Sequence, residues 1–148
     1  MAVRGVCGEA GEGEESSMKR VFLSGPYSAP TEVEVMRNIR VAEEVSIAVR
    51  QLGEGNAACF CPHKNSAHLG GVMPYEFWIR ECLAFLAVCD CVVMLPGWER
   101  SAGAAVELKA AQDIGLPVYY WNAPIVNPFE DDGKEDQRRL REFLLECP

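Results

Sequence analysis

Basic residues and histidines are scarce in this 148-residue chain, and no apolar run reaches the length of a membrane-spanning helix. The chain has 14 Lys and Arg against 22 Asp and Glu, a formal charge of −8, and two His. An acidic chain repels phosphate backbones, so we expect no extended nucleic-acid interface, although a small anion can still bind in a local site. The N-terminus also lacks the apolar segment of a secretory signal, which favours a cytoplasmic protein without membrane contact.

The seven cysteines are expected to be reduced thiols in such a compartment. Cys59-x-Cys61-x-His63 and Cys89-x-Cys91 raise the alternative of a metal site, because residues two apart on a strand share one face. Structural zinc sites more often use Cys pairs with two to four intervening residues in turns, and Cys is frequently buried without a metal. We therefore expect neither a metal nor an organic cofactor.

The order of apolar segments predicts the fold. Residues 1–17 are rich in Gly and Glu and show no periodicity, so we expect a disordered leader before one domain over 18–148. Predicted strands cover 20–24, 57–61, 91–95 and 118–121, and predicted helices cover 31–52, 74–87, 101–114 and 136–146. This alternation predicts a single-domain α/β fold, a flavodoxin-like (Rossmann-like) parallel sheet of four to five strands with helices on both faces.

Ligands of such sheets bind at the carboxyl edge, beside the point where the strand order reverses. The loops to consider are therefore 24–30, 62–73, 96–103 and 122–128. The strand order itself is not readable from one sequence.

The most informative segment leads from the third strand through a Pro-Gly turn into a helix that begins with small residues. A helix N-terminus presents unpaired backbone N–H groups and the positive end of the helix dipole. Ser101 and Gly103 allow an anion to approach that backbone, and Glu107 lies about one and a half turns further along. By residue type alone, such a Ser is more often a helix cap and such a Glu a solvated side chain.

Three short motifs carry a family resemblance. They are Gly25-Pro26-Tyr27 after the first strand, Pro62-His63 after the second, and Ser101-Ala-Gly-Ala-Ala-Val-Glu107 after the third. In this order they resemble the nucleoside 2-deoxyribosyltransferase superfamily, including its nucleoside 5′-monophosphate N-glycosidases, over roughly residues 20–121. The stretch 95–104 is similar to a bacterial and phage branch of it. The resemblance implies a homodimer or larger homo-oligomer with shared active sites.

The resemblance also implies catalytic roles. Glu107 is the expected nucleophile at C1′ of the sugar, forming a glycosyl ester, and Tyr27 is expected to orient its carboxylate by a hydrogen bond. Ser101 stands where monophosphate glycosidases carry Ser and nucleoside transferases carry Asp, which favours hydrolysis of a nucleoside 5′-monophosphate. Deoxyribosyl transfer between bases and nucleotide binding without turnover are the alternatives. A flavin-binding module is disfavoured, because the loop after strand one lacks a Ser/Thr-rich phosphate cradle.

One position departs from the pattern. Relatives carry an Asp on the helix before the third strand, where this chain has Cys82. The adjacent Glu81 points about 100° away around the helix and does not simply replace it. Glu76, His63 and His68 are the candidate substitutes for the proton-handling group, and a nucleophilic role for the Cys82 thiol is disfavoured by the lack of a positive partner.

The other predicted substrate contacts lie in the loops after the strands: Ser24, Gly25, His63, Gly97, Trp98, Ser101, Gly103 and Asn127. For Trp98, stacking on the substrate and packing against the terminal helix are both open. Asn127 corresponds, by loop spacing, to the Asn that transferases donate to a neighbouring subunit's site.

Overall fold

The computed structural model describes residues 18–122 and 135–146. Its strands are β1 (Lys19–Ser24), β2 (Ala57–Phe60), β3 (Cys91–Met94) and β4 (Val118–Tyr120). Its helices are α1 (Glu32–Leu52), α2 (Pro62–Asn65), α3 (Tyr75–Leu86), α4 (Ala102–Asp113) and α5 (Glu135–Leu145), and a 3-10 turn covers Trp98–Arg100. The predicted leader and the loop containing Asn127 lie outside the described residues, so both stay predictions.

The four strands form one parallel sheet in the order β2-β1-β3-β4. Non-consecutive strands β1 and β3 are neighbours at its centre, so the strand order reverses between their carboxyl ends. In a parallel α/β sheet this position is where ligands bind. The predicted α/β class, flavodoxin-like and with a parallel sheet, is confirmed.

Alternate residues of the central strands face two separate cores. Val21, Leu23 and Val93 pack with α1 and α5, whereas Phe22 and Val92 pack with residues of α3 and α4. All five side chains are fully buried, because helices cover the sheet on both faces. The prediction of helices on both faces is thus confirmed.

Two local elements differ from the sequence prediction. The expected loop over 62–73 begins with a helical turn, α2, because Pro62 has the fixed φ that suits a first helical position, and its carbonyl accepts a hydrogen bond from the Ser66 N–H at 3.0 Å. The expected loop after β3 contains the 3-10 turn at Trp98–Arg100, which follows Gly97 at a φ of 82°. None of the helices in 18–122 or 135–146 is both long and apolar enough to cross a membrane.

Candidate active site

A cavity of about 550 Å³ opens at the carboxyl edge of the sheet, within the size range of small-molecule sites. The loops after β1, β2 and β3 and one face of α3 line it. Its walls include the predicted site residues Gly25, Tyr27, His63, Ser101, Gly103 and Glu107. Residues from three separate motifs therefore meet in one cavity, beside the point where the strand order reverses.

Glu107 is the buried acid of this cavity. It lies on α4 with 6% of its surface exposed, while α4 itself is anchored by the fully buried Ala111 and by Ala104. Burial raises the pKa of Glu107 to about 7, while hydrogen bonds from Ser24 and Cys82 act in the opposite direction. The carboxyl group is therefore close to half ionised at neutral pH and is held by two donors.

Ser24 contacts the carboxylate of Glu107 and is not among the residues that line the cavity. It is the last residue of β1, is fully buried, and its hydroxyl donates a hydrogen bond to Glu107 Oε2. That bond uses the only proton of the hydroxyl, and Ser24 is not among the residues that line the cavity, so its direct contact with substrate stays a prediction. In this structure Ser24 holds the carboxylate of Glu107.

Cys82 lies on the cavity-facing side of α3. Burial, followed by the negative charge of Glu107 and a hydrogen bond with it, raises the pKa of Cys82 to about 12. The thiol is therefore protonated at neutral pH and acts as a second donor to Glu107. A thiol with so high a pKa is a poor nucleophile.

Tyr27 and His63 form an aromatic pair in the cavity, with ring centroids 5.8 Å apart and an edge-to-face arrangement. The predicted hydrogen bond from Tyr27 to Glu107 is not present among the described residues, because Ser24 and Cys82 hold that carboxylate while the Tyr27 ring lies against His63. Tyr27 remains a wall of the site.

His63 is 3% exposed, and its Nε2 donates a hydrogen bond to the Pro26 carbonyl at 2.7 Å. Burial lowers the pKa of His63, so the ring is neutral at physiological pH. A neutral ring whose N–H is already engaged offers an anion no positive charge. For His63, a contact with the base is therefore favoured over a contact with phosphate.

The N-terminus of α4 forms the opposite part of the cavity. Ser101 caps the helix, its hydroxyl oxygen accepting a hydrogen bond from the Ala104 N–H at 3.2 Å. Ser101, Ala102, Gly103 and Ala104 all line the cavity. A Cβ added to Gly103 would lie 3.4 Å from Ile79 Cδ1 and 3.5 Å from the Tyr75 hydroxyl, so a side chain there would narrow the gap to α3.

Gly97 and Trp98 do not line this cavity, and their expected contacts with substrate stay predictions. The Trp98 ring lies 5.8 Å from that of Tyr120 on β4 and packs against the core beneath α3 and α4. The expected packing of Trp98 against the terminal helix is therefore wrong, whereas its stacking on the substrate stays a prediction. The tight turn at Gly97 directs the ring back onto the sheet.

One wall of the cavity contains three residues that were not predicted to belong to the site. Tyr75, Trp78 and Ile79 line the cavity from α3, beside Cys82. Their spacing of three, four and seven residues places them on one helix face, and this periodicity was the available signal. Arg100, which directly precedes the helix cap, was also missed.

Neither Glu76 nor His68 lines the cavity, so of the three candidate proton-handling groups only His63 lies at the site. Within 18–122 and 135–146, no group of three or more His, Cys, Asp or Glu side chains is placed to hold a metal ion.

Comparison with known proteins places the fold. The family described as "Domain of unknown function (DUF4406)" matches residues 19–120. No curated protein matches the chain.

Two solved structures are similar at low identity. One is a conserved protein from Enterococcus faecalis V583, at 21% identity and a TM-score of 0.57, covering 70% of this chain. The chain spans 62% of that protein's length. The other is a 2-deoxyribosyltransferase from Bacillus psychrosaccharolyticus, at 20% identity and a TM-score of 0.55, covering 87% of this chain and 98% of that one. At these identities the likeness establishes the fold alone.

Proposed function

Since the chain belongs to the DUF4406 family, whose description names no activity, we propose its reaction from the site itself: hydrolysis of the N-glycosidic bond of a nucleoside 5′-monophosphate, with Glu107 as the nucleophile. The observation that carries the proposal is the buried carboxylate of Glu107, held by Ser24 and Cys82, in a cavity that is also lined by a helix N-terminus.

The proposed reaction has two steps. A Glu107 oxygen attacks C1′, the C1′–N bond breaks, and its electron pair leaves with the base, which takes a proton from solvent. Water then attacks C1′ of the glycosyl ester, releasing Glu107 and a sugar 5-phosphate. The net reaction consumes one water and yields one free base.

The environment of Glu107 suits the first step. A carboxylate removed from bulk water is a stronger nucleophile, and the pKa of about 7 keeps a large fraction ionised at neutral pH. The donors Ser24 and Cys82 fix its orientation without supplying a positive charge that would suppress attack. Their positions on β1 and α3 make the carboxylate rigid before substrate binds.

The monophosphate preference rests on the start of α4. Ser101 offers a hydroxyl proton, since its oxygen accepts from the Ala104 N–H, and the first helical N–H groups carry the positive end of the dipole. A phosphate dianion is stabilised there, whereas a carboxylate at position 101 would repel it.

Transfer of a deoxyribosyl group to a second base is the second candidate. It uses the same glycosyl ester with a base in place of water, and the observation that favours it is the fold shared with the B. psychrosaccharolyticus enzyme. The third candidate, nucleotide binding without turnover, is motivated by Cys82, which cannot donate a proton as readily as a carboxylic acid.

Chromatography of free base distinguishes the three. The protein is incubated with common ribo- and deoxyribonucleoside 5′-monophosphates, and with the matching nucleosides, with and without an added acceptor base. We expect base release from monophosphates alone. Base release that requires the acceptor supports deoxyribosyl transfer. If a nucleotide raises the melting temperature of the protein but no base is released, nucleotide binding without turnover is supported.

The homo-oligomer implied by the resemblance stays a prediction, and light scattering tests it.

A further inference from the structure

Arg100 is the one Lys or Arg among the cavity-lining residues that the structure describes. It lies immediately before the Ser101 cap, in the 3-10 turn that leads into α4. In the described part of the chain its guanidinium forms neither a salt bridge nor a hydrogen bond with an acid. Arg100, an exposed residue, therefore lines the cavity of this acidic protein without an acidic partner among the described residues.

The backbone holds Arg100 in place. Its N–H donates to the Gly97 carbonyl at 3.1 Å, which closes the turn. A Cβ added at Gly97 would lie 2.7 Å from Arg100 Nη2, so the guanidinium packs directly on the bare face of that glycine. Gly97 also has a φ of 82°, which disfavours any side chain. This position thus leaves room for the Arg100 guanidinium beside the start of α4.

The other polar groups of the cavity do not supply positive charge. The His63 ring is neutral because burial lowers its pKa, and the Cys82 thiol is protonated. Glu107 is either neutral or negative. Among the described lining residues, the positive charge that can attract a dianion is therefore that of Arg100 and of the α4 N-terminus, which are adjacent in the chain.

We propose that Arg100 is the specificity-determining residue that selects a phosphate-bearing nucleotide over the corresponding nucleoside. The proposal rests on the proposed function and names the group that recognises its substrate. The planar guanidinium can donate two parallel hydrogen bonds to phosphate oxygens, and Ser101 with the first N–H groups of α4 completes the contact.

The sheet order then sets how the substrate lies. Arg100 and Ser101 follow β3, the Ser24–Glu107 pair is at the end of β1, and His63 follows β2. Adjacent strands are about 4.8 Å apart, so the β3 and β2 ends of the cavity are separated by roughly 10 Å. A phosphate at Arg100 places the sugar beside Glu107 and the base towards Tyr27 and His63.

Calorimetric binding tests this in a Glu107→Gln background, which prevents turnover. The ligands are ribo- and deoxyribonucleoside 5′-monophosphates and their nucleosides. We expect Arg100→Gln to weaken monophosphate binding about tenfold or more and to leave nucleoside binding unchanged, since a charge-assisted hydrogen bond contributes at least that factor. Arg100→Lys keeps the charge but not the planar geometry, so its affinity for monophosphates should lie between those of the parent and Arg100→Gln. Arg80→Gln, an exposed arginine of α3 that does not line the cavity, is the control.

Three results overturn the proposal, and they are distinguishable. If Arg100→Gln binds monophosphates as tightly as the parent does, Arg100 does not recognise the phosphate, but the proposed function is not contradicted. Equal losses for monophosphate and nucleoside show a general effect on the cavity and not recognition of phosphate. The absence of binding by any nucleotide to the Arg100-containing protein removes the proposed function as well.

Discussion

The hydroxyl group of Ser24, the last residue of β1, donates a hydrogen bond to the carboxylate of Glu107 on α4, a residue 83 positions later in the chain. Both side chains are buried, and the bond joins the central strand β1 to α4, whose N-terminus lines the cavity. A buried carboxylate without a donor would be costly, so this pairing both stabilises the ionised form and fixes its direction. The proposed chemistry depends on it.

The first prediction concerns Ser24→Ala. Glu107 must be ionised to attack, so kcat/KM rises with pH through the pKa of about 7. Removing a hydrogen bond that lowers this pKa should shift the rising limb to higher pH and reduce activity at pH 7. The measurement is the pH dependence of base release. Ser46→Ala is the control, a buried serine of α1 remote from the cavity lining, and its limb should not move. An unshifted limb in Ser24→Ala contradicts the positioning role.

A second prediction needs no substrate and concerns stability. The pKa of Glu107 is about 7 in the folded protein against an ordinary 4.5, so the folded state binds this proton more tightly. The resulting stabilisation is complete at low pH and is lost as pH rises from about 4.5 to about 7. Glu107→Gln has no such proton.

Urea unfolding of both proteins between pH 4.5 and 8 measures this difference. The free energy of unfolding of Glu107→Gln, relative to that of the parent, should rise by up to about 3 kcal/mol as pH rises through that window, since one pKa unit corresponds to about 1.4 kcal/mol. Above that window the difference should stay constant. A difference that does not change with pH shows that Glu107 titrates normally, and it removes the basis for a carboxylate held in a dry site.

The elements were readable from sequence because apolar segments and Gly or Pro residues mark their ends. β1, predicted over 20–24, is observed at Lys19–Ser24, and α4, predicted over 101–114, at Ala102–Asp113. The placement of Glu107 inside α4 follows from helical spacing. Its partner does not, because the contact with Ser24 depends on β1 lying beside β3, and local sequence does not encode strand order.

Other misses have local causes. Packing of Trp98 against the terminal helix is one of its two expected positions, but the positive φ of Gly97 turns the chain and the ring lies against Tyr120. Arg100 was overlooked because an exposed arginine before a helix cap is ordinary by residue type. The room that Gly97 leaves for it is visible only in three dimensions.

The third prediction is a change of substrate class by Ser101→Asp. Asp caps a helix as well as Ser does, so the fold should persist, but its charge repels a phosphate dianion. We expect kcat/KM to fall about tenfold or more for monophosphates and to hold or rise for nucleosides, as a repulsion of about 1.4 kcal/mol implies. Ser101→Asn is the control, because Asn has nearly the same shape as Asp but no charge. If Ser101→Asp and Ser101→Asn lower kcat/KM for monophosphates equally, electrostatic selection at this position is excluded.

The fourth prediction concerns the thiol of Cys82. Its pKa of about 12 makes the thiolate rare at neutral pH, and the thiolate is the reacting species. Alkylation by iodoacetamide at pH 8, followed by peptide mass spectrometry, should be slow in the parent protein. In Glu107→Gln it should be faster, because the negative charge that raises the pKa is gone. Cys59, whose pKa is raised chiefly by burial, should react equally slowly in both proteins. Equal Cys82 rates in the two proteins contradict the Cys82–Glu107 contact.

The most direct test of the account is base release from nucleoside 5′-monophosphates by the parent protein and by Glu107→Ala. The substitution removes the proposed nucleophile, so the rate should fall by roughly a thousandfold or more. Circular dichroism of the same samples should show a fold identical to the parent's. A folded Glu107→Ala protein that releases base at the parental rate contradicts the proposed mechanism.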